Sequence, residues 1–535
     1  MKEIIYIQVG SLANHVGTHF WNAQQCYFSY EEGDEVLVDH DISFREGISP
    51  GGEATFCPRV LVLDRKANFG SLSKDSGLYG DETDGPGADP ELWSGNVDEL
   101  RQPSISTSVY QKHLDEEIVE DPADARGEAG AETRDGQLQA PILRASEVRY
   151  WSDFSRVYYL PRSLHQLPDA LDFENSDEDW LEGKTAFERY DAEHSLIEDS
   201  FRLFVEECDA FQGISLTADT ASFGPFSVAM LDTLRDEYPR TPILGFPILS
   251  GVSPGVAATG DLRKTRRALN DARLLHALAE SDVTSVPLQN PSTWSCGSWP
   301  EDIHLYTDRI YETSAILSAH IESSTLPLRL KAESTGLLEL CSKLNVYGNT
   351  PFAELSGVLP AVDSSAVLEQ RRQNFTWFRD SGVVKTHSDV WLFRRDVIRG
   401  PRRADDAERS VMYSGTLPIA SFAAPIEYPL PTSFPYFFNA PHLNKRSRRT
   451  PRGILTQPRT VPIVSSLGVR KDGLPKLLGR YASFVDDCAR YKVDWQALGI
   501  EQDEARELGA SIWTTVDNFG AISETSDELG EDEER

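Results

Sequence analysis

No stretch of this 535-residue chain approaches the ~18 uninterrupted apolar residues that a membrane-spanning helix needs. The opening run Met1-Lys2-Glu3-Ile4-Ile5-Tyr6-Ile7 is too short in apolar residues for a secretory signal. It is also not the Arg- and Ser-rich, acid-poor start of a matrix transit peptide. Zinc spacing is missing: Cys26, Cys57, Cys208, Cys296, Cys341 and Cys488 form no C-x-x-C pair and stand beside no histidine cluster. They read as reduced, packed thiols. Basic residues are outnumbered, 52 Lys and Arg against 85 Asp and Glu, for a formal net charge of -33. A field of that sign repels nucleic-acid backbones, so no direct nucleic-acid binding is expected. Together these features predict a cytosolic protein that meets any organelle from outside.

What is present is globular, with 40% hydrophobic and 10% aromatic residues. Ile4, Ile5, Tyr6, Ile7 and Val9 form a run suited to a buried parallel strand, and Gly10 breaks it. Leu12, Val16 and Phe20 then recur every four residues, as on one face of a helix. A second strand is expected at Val60-Leu61-Val62-Leu63, ending on Asp64. From about Ser73 to Ala140 acids, Gly, Pro and Ser dominate, which predicts a disordered acidic insertion. Order resumes near Tyr150. A stripe through Ile197, Phe201, Phe204, Val205 and Cys208 precedes a strand at Ile214-Ser215-Leu216-Thr217. A turn-rich loop, a helix through Val228, Leu231 and Leu234, and a strand at Ile243-Leu244-Gly245-Phe246 should complete a strand–helix–strand unit. Ligands of such sheets sit at the carboxyl ends of the strands.

Two basic runs, Arg394-Arg395 to Arg403 and Lys445 to Arg449, read as solvated loops, with contact to an acidic partner or membrane surface as the alternative. Leu474, Leu477, Leu478, Tyr481, Phe484, Val485 and Cys488 mark a late helix, and another is expected from Glu501 to Val516 before an acidic tail. Gly183-Lys184-Thr185 imitates the end of a P-loop, but the position five residues earlier is Glu178. No H-E-x-x-H pair or metal-binding carboxylate pair occurs, and His15 and His276 read as structural.

The segment Ile7-Gln8-Val9-Gly10-Ser11-Leu12-Ala13-Asn14-His15-Val16-Gly17-Thr18-His19-Phe20-Trp21 resembles the start of tubulin, I-Q-x-G-Q-x-G-N-Q-I-G-x-x-F-W. Cys208-Asp209-Ala210-Phe211-Gln212-Gly213 and Leu234-Arg235-Asp236-Glu237-Tyr238-Pro239 resemble two further tubulin blocks. Asn270, His276 and Leu278 keep a third spacing, and Trp180 with Gly183 resembles N-W-x-x-G. The long insertion and Tyr150-Trp151-Ser152-Asp153-Phe154 depart from tubulin proper and are similar to the Misato/DML family of tubulin-like proteins.

The resemblance implies an α/β fold: a tubulin-like nucleotide-domain core with a parallel sheet flanked by helices, a middle α+β domain and C-terminal helices. The expected boundaries are 1–290, with the insertion at about 73–140, then 291–440, 441–520 and a disordered acidic tail at 521–535. It also implies a guanine-nucleotide site, of which Gly10, Ser11, Asn14, Asp64, Gly224, Asn270 and Asn290 would be the remnant. Tubulin grips phosphate with G-G-G-T-G-S-G, because bare glycines let backbone N–H groups approach it. Ungapped counting puts Ala221-Ser222-Phe223-Gly224-Pro225-Phe226-Ser227 there. Pro225 removes a donor and the phenylalanines add bulk. Lys66 and Arg267 stand where tubulin has acidic residues, and the second catalytic loop, G-x-x-N-x-D, is not found.

The expectation is therefore a protein that is not an enzyme, with no cofactor expected and no metal. Its implied role is mitochondrial partitioning and mitochondrial DNA inheritance, at the organelle's cytosolic face or with cytoskeletal proteins. The alternatives are a residual GTP-binding switch or GTPase, and an assembly factor that binds tubulin or chaperonin.

Overall fold

The structure, a computed structural model, describes residues 2–28, 36–48, 54–72, 105–119, 143–168, 178–255, 260–294, 303–332, 334–345, 348–361, 371–376, 391–400, 419–424, 426–438, 459–471 and 473–531. Strand β1 (Ile4–Val9) is buried along its whole length. Its pleat sends Ile4 and Tyr6 to one face, against Phe20 and Trp21, and Ile5, Ile7 and Val9 to the other, against Phe187 and Phe223. This two-sided burial is why the strand reads as a continuous apolar run. A hairpin, β2 (Phe44–Ile48) and β3 (Ala54–Pro58), leads into β4 (Val60–Arg65). Strands β1 and β4, with β5 (Leu164–Leu167), β6 (Gly213–Asp219), β7 (Ile243–Ile248) and β8 (Thr284–Ser285), build a six-stranded sheet in the order β5-β4-β1-β6-β7-β8. Every pairing in it is parallel.

Helix α1 (Ser11–Gln25) follows β1 directly, and α2 (Val109–Val119) lies inside the expected insertion. The sheet's other face carries α3 (Trp180–His194), the short α4 (Arg202–Glu206) and α5 (Thr220–Glu237), with α3 packed along α5. Helix α6 (Leu262–Glu280) starts on an Asp261 cap that accepts from the Arg263 and Lys264 N–H groups. Helix α7 (Ile310–Thr325) is buried from Tyr311 onward and lies between α1 and a second sheet. The short α8 (Leu337–Leu344) follows.

The second sheet combines β9 (Glu354–Val358), β10 (Gln373–Asn374), β11 (Trp391–Arg399), β12 (Ile419–Ala424) and β15 (Ile463–Arg470) in the order β10-β9-β15-β11-β12. It is mixed, with only β11 and β12 parallel. A small ribbon, β13 (Tyr428–Pro429) and β14 (Thr460–Val461), sits beside it. Helices α9 (Leu474–Arg490) and α10 (Gln502–Glu531) pair with each other and dock on α6. The expected tubulin-like α/β architecture with C-terminal helices is what the chain adopts.

Four local expectations are corrected. The insertion is not uniformly structureless: α2 anchors through Tyr110, which is buried with Leu143, Phe154 and Tyr311 and lies 2.8 Å from Thr432 Oγ1. Residues 73–104 and 120–142 lie outside the described residues. No turn-rich loop separates β6 from the next helix, since α5 begins at Thr220. The run Arg394-Arg395 is strand β11, with Arg394, Arg395 and Arg399 buried. Alternation sends Arg395 and Arg399 toward α7, where Ser324 and Glu322 receive them, while Arg394 pairs with Asp396. Those partners are remote in sequence, which is why the run resembles a solvated loop. The second basic run, Lys445 to Arg449, lies outside the described residues. Finally, the last helix does not stop at Val516 before a disordered tail; its backbone stays helical through Glu531.

Candidate functional site

The residues expected to form a site gather at the carboxyl edge of the parallel sheet. Gly10 ends β1 with φ 97°, a conformation that glycine adopts at no steric cost, and donates to Leu63 O at 3.0 Å. One turn on, the fully buried Asn14 donates through Nδ2 to Leu63 O at 3.1 Å and to Asp64 Oδ2 at 3.2 Å. Asp64 also accepts from the Arg65 N–H and from Asn68 Nδ2. Burial nevertheless pushes its carboxyl up to about 6. The Ser11 carbonyl receives His15 Nδ1 at 2.8 Å, and burial holds that ring neutral by lowering it to about 4. Gly10, Asn14 and Asp64 thus form one group joined through Leu63 O, while Ser11 bonds His15.

Facing them is the junction of β6 with α5. Asp219 caps α5, its Oδ1 accepting the Ala221 N–H at 3.1 Å. A side chain on Gly10 would begin 2.7 Å from Asp219 Cβ and 3.0 Å from the Phe223 ring, so these two residues fill the space above Gly10. Arg65 lies over the Phe223 ring at 5.6 Å. The stretch Ala221 to Ser227, aligned with the phosphate loop, is the first two turns of α5. Gly224 does not serve as a cradle glycine there, because a Cβ would meet only Thr220 at an ordinary 3.9 Å. Pro225 packs on Gly183 of α3 so closely that a Cβ on the glycine would come within 2.4 Å of the proline ring. These residues do not fit a tubulin-type phosphate cradle.

The remaining expected residues lie elsewhere on the same edge. Asn270 donates through Nδ2 to Glu178 O at 2.7 Å, while its Oδ1, like that of Asn14, is buried without a partner. Arg267, where tubulin has an acid, pairs with Glu178 at 2.6 Å, and Arg263 joins at 3.0 Å. Asn290 is a local cap: its Oδ1 accepts from the Ser292 N–H and hydroxyl. That is the ordinary turn role of asparagine.

Two residues central to this edge escaped the sequence reading. Asp219 carries a readable signal, an acidic residue at the point where an apolar strand gives way to a helix. Asp271 carries none. It is fully buried and accepts from Thr220 Oγ1 at 2.7 Å, Ser250 Oγ at 2.7 Å and Tyr481 OH at 3.1 Å, joining α5, the end of β7, α6 and α9. Burial pushes both carboxyls up to about 6. Among the described residues, no group of three or more His, Cys, Asp or Glu is placed to hold a metal, and no helix is long and apolar enough to cross a membrane.

A parallel six-stranded sheet with a glycine turn opening its first helix, a buried core helix α7 and paired terminal helices define a tubulin-like protein. Comparison with known sequences agrees: residues 2–116 match the Misato segment II tubulin-like domain and residues 140–330 a tubulin domain. Protein DML1 of Gibberella zeae is 34% identical over 468 residues, covering 82% of this chain and 86% of that one. Protein dml1 of Aspergillus clavatus is 36% identical over 341 residues, 62% of this chain and 61% of its own. Protein misato of Drosophila melanogaster is 28% identical over 375 residues, 65% and 63%. The chain belongs to the Misato/DML family of tubulin-like proteins.

Proposed function

We propose that this chain is a non-enzymatic, tubulin-like protein that supports mitochondrial partitioning and the inheritance of mitochondrial DNA. It would act at the cytosolic face of the mitochondrial outer surface or with cytoskeletal proteins. Family membership supports the mitochondrial part of this reading. The observation that carries the non-enzymatic part is the filled space above Gly10, where Asp219 and Phe223 stand in place of a bare glycine loop. Hydrolysis of a nucleoside triphosphate needs donors fixed around the transferring phosphoryl group. A helix interior with a proline at residue 225 does not present them.

A residual GTP-binding switch keeps one observation in its favour, the unpartnered Oδ1 atoms of Asn14 and Asn270. A role as a tubulin- or chaperonin-binding assembly factor rests on the tubulin-like fold alone. The experiment has two arms. Depleting the protein should disturb the mitochondrial network and lower mitochondrial DNA copy number; a normal network and copy number would refute the mitochondrial role. Denaturing the purified protein should release no stoichiometric guanine nucleotide, and labelled GTP with magnesium should not bind at millimolar concentration. Stoichiometric nucleotide would revive the switch, and co-purifying tubulin or chaperonin subunits would favour the assembly factor.

A further inference from the structure

Helix α1 begins without a cap of its own: Gly10 has no side chain to offer, and no acidic residue stands in the first turn. A helix N-terminus presents unsatisfied N–H groups and about half a positive charge, which is why phosphates settle there. Helix α5 opens at the same edge, because β1 and β6 are neighbours in the sheet. Asp219 lies between the two openings. Its Cβ stands where a Gly10 side chain would otherwise project, and its carboxylate takes the Ala221 N–H of α5. The Leu12 N–H, in the first turn of α1, favours the charged form of the same carboxylate. Asp219 is 8% exposed, and Phe223 covers the same point at 2%.

We infer that Asp219 is a built-in anion, its carboxylate filling the shared mouth of α1 and α5 as a bound phosphate would, so that the chain's own charge holds this edge of the sheet. This deepens the nucleotide-free reading above and rests on it for the position of the phosphate loop. It has a consequence for regulation. A tubulin-like core held by a covalently attached anion has one arrangement at this edge and no exchangeable group to switch it, since a ligand shifts an equilibrium only by binding two states differently.

The test is anion rescue in the full chain at pH 7.5, where a carboxyl pushed up to about 6 is ionised. Asp219→Ala removes a carboxylate-sized anion from two helix openings. Formate, of matching size and charge, should raise the unfolding temperature of that variant by several degrees more than it raises the wild type's. Neutral formamide, and chloride at equal ionic strength, should not. Equal rescue by formamide would reduce Asp219 to a neutral cap, and no rescue by either would overturn the inference. Asp219→Ser keeps a good cap for α5 and supplies a second variant that folds if the first does not; formate must discriminate there too. Guanine nucleotide released from the wild type would sink the nucleotide-free reading whatever formate does, whereas absent rescue sinks the assignment of Asp219 alone.

Discussion

Arg399 of β11 and Glu322 of α7 meet at 2.5 Å between Nη1 and Oε2, with neither side chain exposed to solvent. Around them, Arg329 Nη2 lies 3.2 Å from Glu322 Oε1, Gln24 donates to the same oxygen at 2.8 Å, and Tyr27 bridges the carboxylate and Arg399. Arg399 also donates to the carbonyls of Ile426 and Glu427. The cluster ties α1, α7 and the second sheet; both Glu322 oxygens and all three Arg399 nitrogens are partnered, whereas Arg329 Nε and Gln24 Oε1 are buried without a partner. A charge removed from water is tolerated in this way only when its partners are complete.

The neighbouring Arg395 makes the contrast. It donates to Ser324 O, but its Nε and Nη1 are buried without partners, and burial lowers its pKa to about 10. Arg399→Met should therefore cost about 3–5 kcal/mol, because it strands Glu322. Arg395→Met should be neutral or stabilising by about 1 kcal/mol, since it removes an under-satisfied charge and leaves an apolar chain of similar length. Urea denaturation of both variants against the wild type decides it; equal losses would mean the two arginines are equivalent.

Those two arginines also show where the sequence stops being legible. β1, β4, β6 and β7 can be read because each is an apolar run bounded by a glycine, an acid or a proline, and α9 because its apolar stripe keeps helical spacing. Strand β11 cannot, because the residues that neutralise it lie on α7. Of the expected site residues, Gly10, Asn14 and Asp64 come together because they share one strand–helix turn and its neighbouring strand. Asn290 fits the spacing, yet its amide is consumed by Ser292. Asp271 is reached by Tyr481 from 210 residues away, a pairing that no local pattern encodes.

That pairing leads to a pH prediction. Asp271 has a folded carboxyl raised by burial to about 6, against 3.8 for its ordinary value. In the window from about 4 to 6 the folded chain binds more protons there than the unfolded chain, so this group's contribution to stability falls as pH rises through it. Asn resembles the protonated acid and does not titrate. The deficit of Asp271→Asn should thus be largest below about pH 4 and shrink by about 2 kcal/mol between about pH 4.5 and pH 7. The wild type alone would hide this, because His15, His19 and His320 are lowered by burial to about 4, 3 and 3 and their contributions run the opposite way. Denaturation at pH 4.5, 5.5 and 7 measures it; a constant deficit would mean the carboxyl titrates normally.

The last prediction concerns the rewritten loop. Gly183 belongs to the tubulin-like W-x-x-G spacing, and Pro225 replaces a glycine of the phosphate loop; in the fold each is the other's neighbour across α3 and α5. A Cβ on Gly183 would come within 2.4 Å of Pro225 Cγ and 3.0 Å of its Cβ, and a proline ring cannot swing away as a flexible side chain can. Gly183→Ala should therefore destabilise by about 1–3 kcal/mol through overpacking, despite alanine's better helix propensity. Pro225→Ala removes the ring and restores an N–H for the Ala221 carbonyl, so it should be neutral or stabilising alone. Combined, the two should not add: Pro225→Ala should recover at least about 1 kcal/mol of the Gly183→Ala loss. A double-mutant cycle by urea denaturation tests this, and strict additivity would show that the proline ring is not what keeps residue 183 a glycine.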